Sequence, residues 1–212
     1  MKKLLLIVSM IAILSTLVAC QTQDAFSVFE RAASSEIVLV DQYEAIATTD
    51  LNDQSLDELS SDGMQILSVT MNDDDLSNLE KITYIRSLYR DIQIAHAQNI
   101  LIKYEIQDIW VVLKDNVATF RENELVLTEE DQMTLQDYKL EFSLRRLEVQ
   151  ASIGSIKTSL EQLKGLYDID HLDLIIDHFE SILDVLNMRY DHMVYLKLAL
   201  EDVNTIAVSY LD

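Results

Sequence analysis

A near absence of glycine and proline is the feature that most limits how this chain can fold. Its 212 residues include three glycines and no proline. β-Sandwiches, barrels and doubly wound α/β domains need many tight turns, and Gly and Pro supply most of the backbone geometry of such turns. Phosphate-binding loops need clustered glycines, whereas Gly63, Gly154 and Gly165 lie far apart. The sequence therefore predicts an all-α fold of long helices.

Hydrophobic periodicity predicts five helices, at about residues 25–48, 55–70, 72–120, 128–164 and 170–210. The last helix has the most regular heptad pattern, because eleven of its twelve seam positions are apolar or aromatic. These positions are Leu172, Phe179, Leu186, Met193, Leu200 and Ala207 in one row, and Ile175, Ile182, Arg189, Leu196, Val203 and Tyr210 in the other. The pattern predicts one continuous helix with a buried seam.

Two earlier helices also have long apolar rows. Helix 72–120 has the rows Ile85, Ile92, Asn99, Ile106, Leu113, Phe120 and Leu88, Ala95, Ile102, Ile109, Asn116. Helix 128–164 has one stripe of Leu140, Leu144, Leu147 and Ala151, and a second of Phe142, Val149, Ile153, Ile156, Leu160 and Leu163. A face this broad predicts that the helix contacts more than one neighbour.

Short predicted connections at about residues 121–127 and 166–169 favour antiparallel neighbours. The sequence thus predicts an elongated antiparallel helical bundle of three long helices. The two N-terminal helices would supply a fourth, broken column. All of residues 25–212 are expected to form this single domain.

The first twenty residues have the order of an export signal. Met1-Lys2-Lys3 is basic, residues 4–17 are an apolar run too short for a membrane-spanning helix, and Leu17-Val18-Ala19-Cys20 follows. This ending resembles the lipobox of bacterial lipoproteins. The resemblance implies cleavage of residues 1–19, lipidation of Cys20 and a short tether over residues 20–24. An ordinary signal peptide or an uncleaved membrane helix is the alternative.

The chain is strongly acidic, with 37 Asp and Glu residues against 16 Lys and Arg residues. Cleavage after Ala19 would also remove two lysines and change the formal net charge from −21 to −23. This charge argues against nucleic-acid binding, because the densest basic spot is the pair Arg145-Arg146. It also argues against adhesion to anionic lipids, so acyl chains on Cys20 would hold the protein at the membrane.

Three histidines, His171, His178 and His192, lie on the same edge of the last predicted helix. They suggest either a metal site or a pH sensor. Seven residues of helix separate side chains by about 10.5 Å, so two of these rings cannot bind one ion without ligands from other helices. We expect partly solvated seam histidines, with a pH-sensitive edge as a weaker hypothesis, and no cofactor or metal.

Three polar residues, Asn99, Asn116 and Arg189, interrupt otherwise apolar seams. Polar residues at such positions can fix helix register or oligomeric state at some cost in stability. We therefore interpret them as structural, and we expect a carboxylate on a facing helix to pair with Arg189.

No enzyme motif emerges from the residues. The spacings that bind di-iron, attach haem or place zinc and serine nucleophiles do not occur, and abundant carboxylates make any acidic pair uninformative. The sequence therefore favours a non-enzymatic structural or protein-interaction module at a bacterial cell surface, with a protein partner or self-association. The alternative is an extracytoplasmic bundle that binds a small ligand or a cation and acts as a sensor.

Overall fold

The computed structural model describes residues 24–47, 73–163, 166 and 169–211. Within these ranges the protein is all-α and has no strand, as the sequence predicts. The signal and Cys20, the predicted helix at 55–70 and Gly165 lie outside the described residues.

Four long helices make up the described fold. They are α1 (Ala25–Ala47), α2 (Asp73–Glu122), α3 (Glu129–Leu163) and α4 (Leu172–Ser209), and a 3-10 turn at Ile169–His171 leads into α4. With 50 residues, α2 is the longest helix and extends for about 75 Å. The boundaries lie within about two residues of the predicted ones.

Contacts between charged side chains give the direction of each helix. Asp24, just before α1, forms an ion pair with Arg121 at the end of α2, and Asp41 near the end of α1 lies 3.2 Å from Lys103 in the middle of α2. The helices α1 and α2 are therefore antiparallel. The ion pair between Lys81 and Asp173 and that between Glu105 and Lys197 show that α2 and α4 are parallel. Together with the short α2–α3 connection, these directions give an up-down-up-down bundle.

The start of α3 is capped by side chains. The Asp131 backbone N–H donates to Thr128 Oγ1 (3.2 Å), and Thr128 Oγ1 donates to Asp131 Oδ2 (2.6 Å). Tyr210, just beyond α4, accepts a hydrogen bond from the Thr128 backbone N–H and donates one to Asp131. The capping bonds thus also tie α3 to the end of α4.

The predicted seams of α2 and α4 are the core of the bundle. Eleven of the twelve predicted seam positions of α4 are buried, and Tyr210 is half-buried. In α2 the entire row from Ile85 to Phe120 is buried, while Ile109 and Asn116 in the second row are half-buried. Heptad spacing therefore identified the packed faces of both helices.

The buried apolar residues form two separate clusters. The larger cluster involves all four helices and contains Phe26, Phe29, Ala33, Leu39, Val40, Ile102, Ile106, Leu113, Val117, Phe120, Leu127, Leu135, Phe142, Met193, Leu196, Ala199, Leu200, Val203 and Ala207. The smaller cluster involves α2, α3 and α4 and contains Ile82, Ile85, Leu88, Ile92, Ala95, Leu163, Leu172, Ile175, Phe179, Ile182 and Leu186.

Candidate functional site: two outer rows and a buried polar layer

One predicted packing face of α3 is exposed. Leu140, Leu144 and Leu147 are between 57 and 68% exposed, and Ala151 is exposed as well. The expectation that this stripe packs on a neighbour is therefore wrong. The reason is geometric: Phe142 and Leu135, on the opposite side of α3, already fill the larger cluster. We call Leu140, Leu144, Leu147 and Ala151 the α3 outer row.

A second exposed row lies on α2, on the side away from its buried seam. It occupies two heptad positions: Ile94, Leu101, Asp108 and Asp115 in one, and Ala97, Tyr104, Val111 and Ala118 in the other. All eight residues are exposed, and the four largest apolar ones, Ile94, Leu101, Tyr104 and Val111, are between 50 and 64% exposed. We call these eight residues the α2 outer row.

The two outer rows face opposite sides of the bundle. In the described residues, α2 packs most extensively against α4, and α3 packs against α1 and α4, whereas α2 and α3 scarcely meet. They therefore occupy diagonal corners. Since each outer row lies on the side of its helix away from the core, a partner on one row leaves the other accessible.

Along α2 and α4 a buried polar layer separates the two apolar clusters, whereas on α1 the residue Glu36 lies between Ala33 and Leu39 of the larger cluster. On α2 the smaller cluster ends at Ala95 and the larger begins at Ile102, with Asn99 between them; on α4, Arg189 and His192 lie between Leu186 and Met193. Glu36 of α1 and Ser152 of α3 are also buried, and each contacts one of these α4 residues. All five side chains are at most 7% exposed.

Within this layer, Glu36 and His192 form a buried pair between α1 and α4. His192 Nε2 lies 3.2 Å from Glu36 Oε2, and both side chains are at most 3% exposed. Arg146 of α3 reaches the other carboxylate oxygen at 3.9 Å. Within the described residues, His192 Nδ1 has no hydrogen-bond partner. Because Glu36 binds groups from α3 and α4, it fixes α1 against both of them.

The predicted structural polar residues lie at different depths. Asn99 Nδ2 donates to the Ala95 carbonyl (2.7 Å) and to the Leu186 carbonyl of α4 (3.2 Å). The Asn116 side chain is half-buried and donates to Asn204 of α4 (2.8 Å). Arg189 is fully buried, with its Nε 3.4 Å from Ser152 Oγ. The carboxylate partner expected for Arg189 remains a prediction.

The structure separates the three histidines that the sequence grouped on one edge. His171 and His178 are half-buried, whereas His192 is buried in the polar layer. The expectation of a partly solvated ring is therefore wrong for His192, because α1 covers it with Glu36. In the described residues, no group of three or more His, Cys, Asp and Glu side chains is placed to bind a metal ion.

Tyr138 of α3 also links helices, on the side of α3 that packs on the larger cluster. Its hydroxyl donates to Asp202 Oδ2 of α4 (2.9 Å). Burial, the hydrogen bond to Asp202 and nearby negative charge raise the pKa of Tyr138 to about 12. At the cap of α3, hydrogen bonds from Thr128 and Tyr210 lower the pKa of Asp131. Both shifts favour the ionisation states present at neutral pH.

Comparisons of the chain with protein-family profiles, with curated proteins and with solved structures return no match. None of the helices in the described part of the chain is both long and apolar enough to cross a membrane. The features that bear on function are therefore the outer rows, the polar layer and the first twenty residues.

Neither the α2 outer row nor Glu36 was predicted from the sequence. The α2 outer row was recognisable, because Ile94, Leu101, Tyr104 and Val111 repeat with a heptad period on the face opposite the seam already identified. Glu36 gave no comparable signal. It is one of 37 acidic residues, and only the packing of α1 on α4 distinguishes it.

Proposed function

We propose that this protein is a lipid-anchored, extracytoplasmic helical bundle whose outer rows bind other proteins at a bacterial cell surface. The observation that carries the proposal is exposed apolar residues at helical spacing on two helices, in a bundle whose buried seams are already occupied. Exposed apolar patches of this kind mark interaction sites. The proposed function is structural or adaptor-like and involves no catalysis.

The shape of the rows favours a helical partner. The α2 outer row extends over 25 residues, from Ile94 to Ala118, or about 36 Å. The two heptad positions of the α2 outer row repeat every seven residues, as do the residues of the seam along which two helices pair lengthwise. A compact ligand would use only a small part of such a surface, whereas a helix of similar length would cover all of it.

Support for the anchor comes from the first twenty residues. The basic start, the apolar run and Leu17-Val18-Ala19-Cys20 resemble a lipoprotein signal. A lipid on Cys20, which would become the first residue of the mature chain, would place the bundle next to the membrane with its outer rows free. The net charge of −23 would repel anionic headgroups, so retention would depend on the acyl chains.

Membrane fractionation tests the anchor. The native chain should sediment with membranes, and its mature N-terminus should be an acylated Cys20 by mass spectrometry. The Cys20→Ser variant should lose this acylation and leave the membrane fraction. A Cys20→Ser protein that still sediments firmly with membranes would contradict the lipid anchor.

Chemical cross-linking in the producing cell, followed by mass spectrometry, tests the interaction function. Leu101→Gln with Tyr104→Gln should remove specific cross-links to another protein. Leu198→Gln is the matched control, because Leu198 is 56% exposed on α4 and lies outside both rows. If the double variant and the control give the cross-links of the native chain, the α2 outer row is not an interaction surface.

The buried polar layer is the one observation that favours the ligand-binding alternative. A sensor would use buried polar groups such as Glu36 and His192 to recognise a small molecule. However, Arg146 places positive charge beside this pair, which disfavours a bound cation. A small-molecule screen by thermal shift distinguishes the two functions, since a ligand in the layer would raise Tm and lose its effect in Glu36→Gln.

A further inference from the structure

The α2 outer row contains two negative charges at equivalent positions. Six of its eight residues are apolar, and the two exceptions, Asp108 and Asp115, occupy the same heptad position seven residues apart. Both are exposed, and neither side chain forms a hydrogen bond or ion pair with any described residue. The spacing places the two carboxylates about 10.5 Å apart along the helix.

A helix packed along this row would remove water from both carboxylates. Burying a carboxylate without a compensating charge is costly, and a paired, hydrogen-bonded one is tolerated. A partner that covers the apolar residues of the row must therefore present cations to Asp108 and Asp115. The heptad spacing determines the positions of these cations, because Lys or Arg residues seven positions apart on a facing helix lie opposite carboxylates seven positions apart.

A second copy of this chain is a poor match for the row. The eight row positions of a second copy contain no Lys or Arg. If that copy lay along the full length of the row, it would place further carboxylates beside Asp108 and Asp115 and no cation from its own row. Each copy also has a net charge of −21 before any cleavage, which opposes association over longer distances. The same charge disfavours an anionic lipid surface.

We propose that the α2 outer row binds a cationic amphipathic helix of another protein. The apolar seam of that helix would cover Ile94, Leu101, Tyr104 and Val111, and two Lys or Arg residues seven apart would pair with Asp108 and Asp115. Because the inference rests on the proposed interaction function and names its partner class, its test separates the charges from the apolar surface.

Peptide binding to the mature chain tests the charge requirement. The probe is a labelled helical peptide of about four heptads, with Leu and Ile in two rows and Lys at two row positions seven residues apart. A second peptide has Glu at those two positions. Fluorescence anisotropy should show binding of the Lys peptide, and binding of the Glu peptide that is weaker by at least about tenfold.

Substitution of the carboxylates should change which peptide binds. The double substitution Asp108→Asn with Asp115→Asn should weaken binding of the Lys peptide by about tenfold, as expected for the loss of two ion pairs at an interface. Asp108→Lys with Asp115→Lys should reverse the preference toward the Glu peptide. The matched control is Asp137→Asn with Glu161→Gln, which removes the same charge from exposed positions of α3 and should leave affinity within about twofold.

Three results would overturn this inference. The first is failure of the Lys peptide to bind, and the second is equal weakening in the carboxylate variant and the α3 control. The third is a dimer in sedimentation that Leu101→Gln with Tyr104→Gln abolishes, because the occupant would then be a second copy. The proposed interaction function would survive the third result, and would fail only if cellular cross-links were insensitive to the row.

Discussion

The two apolar clusters on either side of the polar layer differ in how they hold their helices. The larger cluster is rich in aromatic contacts: Phe29 packs on Phe142 (5.8 Å between ring centroids), and Phe26 packs edge-on against Phe120 (5.0 Å). The smaller cluster is mainly Ile and Leu, with Tyr89 and Phe179 as a ring pair at 6.4 Å. The longer helices thus pack on one another mainly through aliphatic side chains, whereas the shorter α1 packs on its neighbours mainly through aromatic rings.

The difference shows how a short helix is added to a long pair. With 23 residues, α1 has less than half the length of α2, and a helix in isolation gains little stability from its own backbone. The position of α1 therefore depends on the tertiary contacts that its own residues Phe26, Phe29 and Glu36 make with the other helices. Substitutions in each cluster test whether the two ends of the bundle are stabilised separately.

The largest effect is expected at Phe29. Phe29→Ala should lower the free energy of unfolding by about 3 to 5 kcal/mol, because it removes a fully buried ring between α1 and α3. Hydrogen exchange should accelerate most in α1 and in the facing half of α3. Phe179→Ala, in the smaller cluster, is the control and should instead expose residues 82–95. Identical exchange patterns in the two variants would show that the core acts as one unit.

A somewhat smaller effect is expected in the polar layer. Glu36→Ala should cost about 3 kcal/mol in chemical denaturation, because it leaves His192 buried without its partner. Glu161→Ala, an exposed carboxylate on α3, should change stability by less than about 0.5 kcal/mol. If Glu36→Ala is as harmless as that control, the layer does not fix α1.

Arg121 should have a smaller effect, confined to one end. Its guanidinium bonds Asp24 (2.6 Å) and Glu30 (2.7 Å) and so joins the end of α2 to α1. The side chain is 38% exposed, so Arg121→Met should cost about 1 kcal/mol or less, and salt should reduce the difference. Lys197→Met, which breaks the pair between α4 and α2, should leave exchange in α1 unchanged. Faster α1 exchange in both variants would contradict the assignment.

The smallest expected effect is at alkaline pH. Tyr138 has a folded-state pKa of about 12, above the ordinary value of about 10. A raised pKa contributes stability below the unfolded-state pKa, and this contribution is lost as pH rises through the folded-state value. Tyr138→Phe should therefore flatten the decline in unfolding free energy between about pH 10 and about pH 12.

Asp202→Asn should give an intermediate slope in that experiment, because it removes the negative charge from the group that accepts the Tyr138 hydrogen bond and leaves the ring's burial unchanged. If Tyr138→Phe shows the same pH dependence as the native chain, another group is responsible for the alkaline loss of stability.

Helix positions and the buried seams could be predicted from the sequence. The rows of α2 and α4 alternate at heptad spacing, and burial of one face follows directly from that period. The same rule failed for Leu140, Leu144 and Leu147, because a period shows that residues share a face and does not show that a neighbour covers it. The number of neighbours depends on the arrangement of all four helices.

The interior polar contacts could be predicted only in part. Asn99 and Arg189 were recognisable as polar interruptions of apolar rows. The pairing of His192 with Glu36 was not, because it joins residues 156 positions apart and depends on the placement of α1. Long-range pairs of single polar residues leave no periodic signal in the sequence.

Site-specific photo-cross-linking along α2 in the producing cell would show whether the α2 outer row binds a partner protein. A photoreactive residue would replace Ile94, Leu101, Tyr104 or Val111 in the row, or the exposed Gln98 or Thr119 beside it. Cross-links to the same partner are expected from the row positions, and few or none from Gln98 and Thr119. Cross-linking at all six positions alike, or at none, would contradict binding at the row.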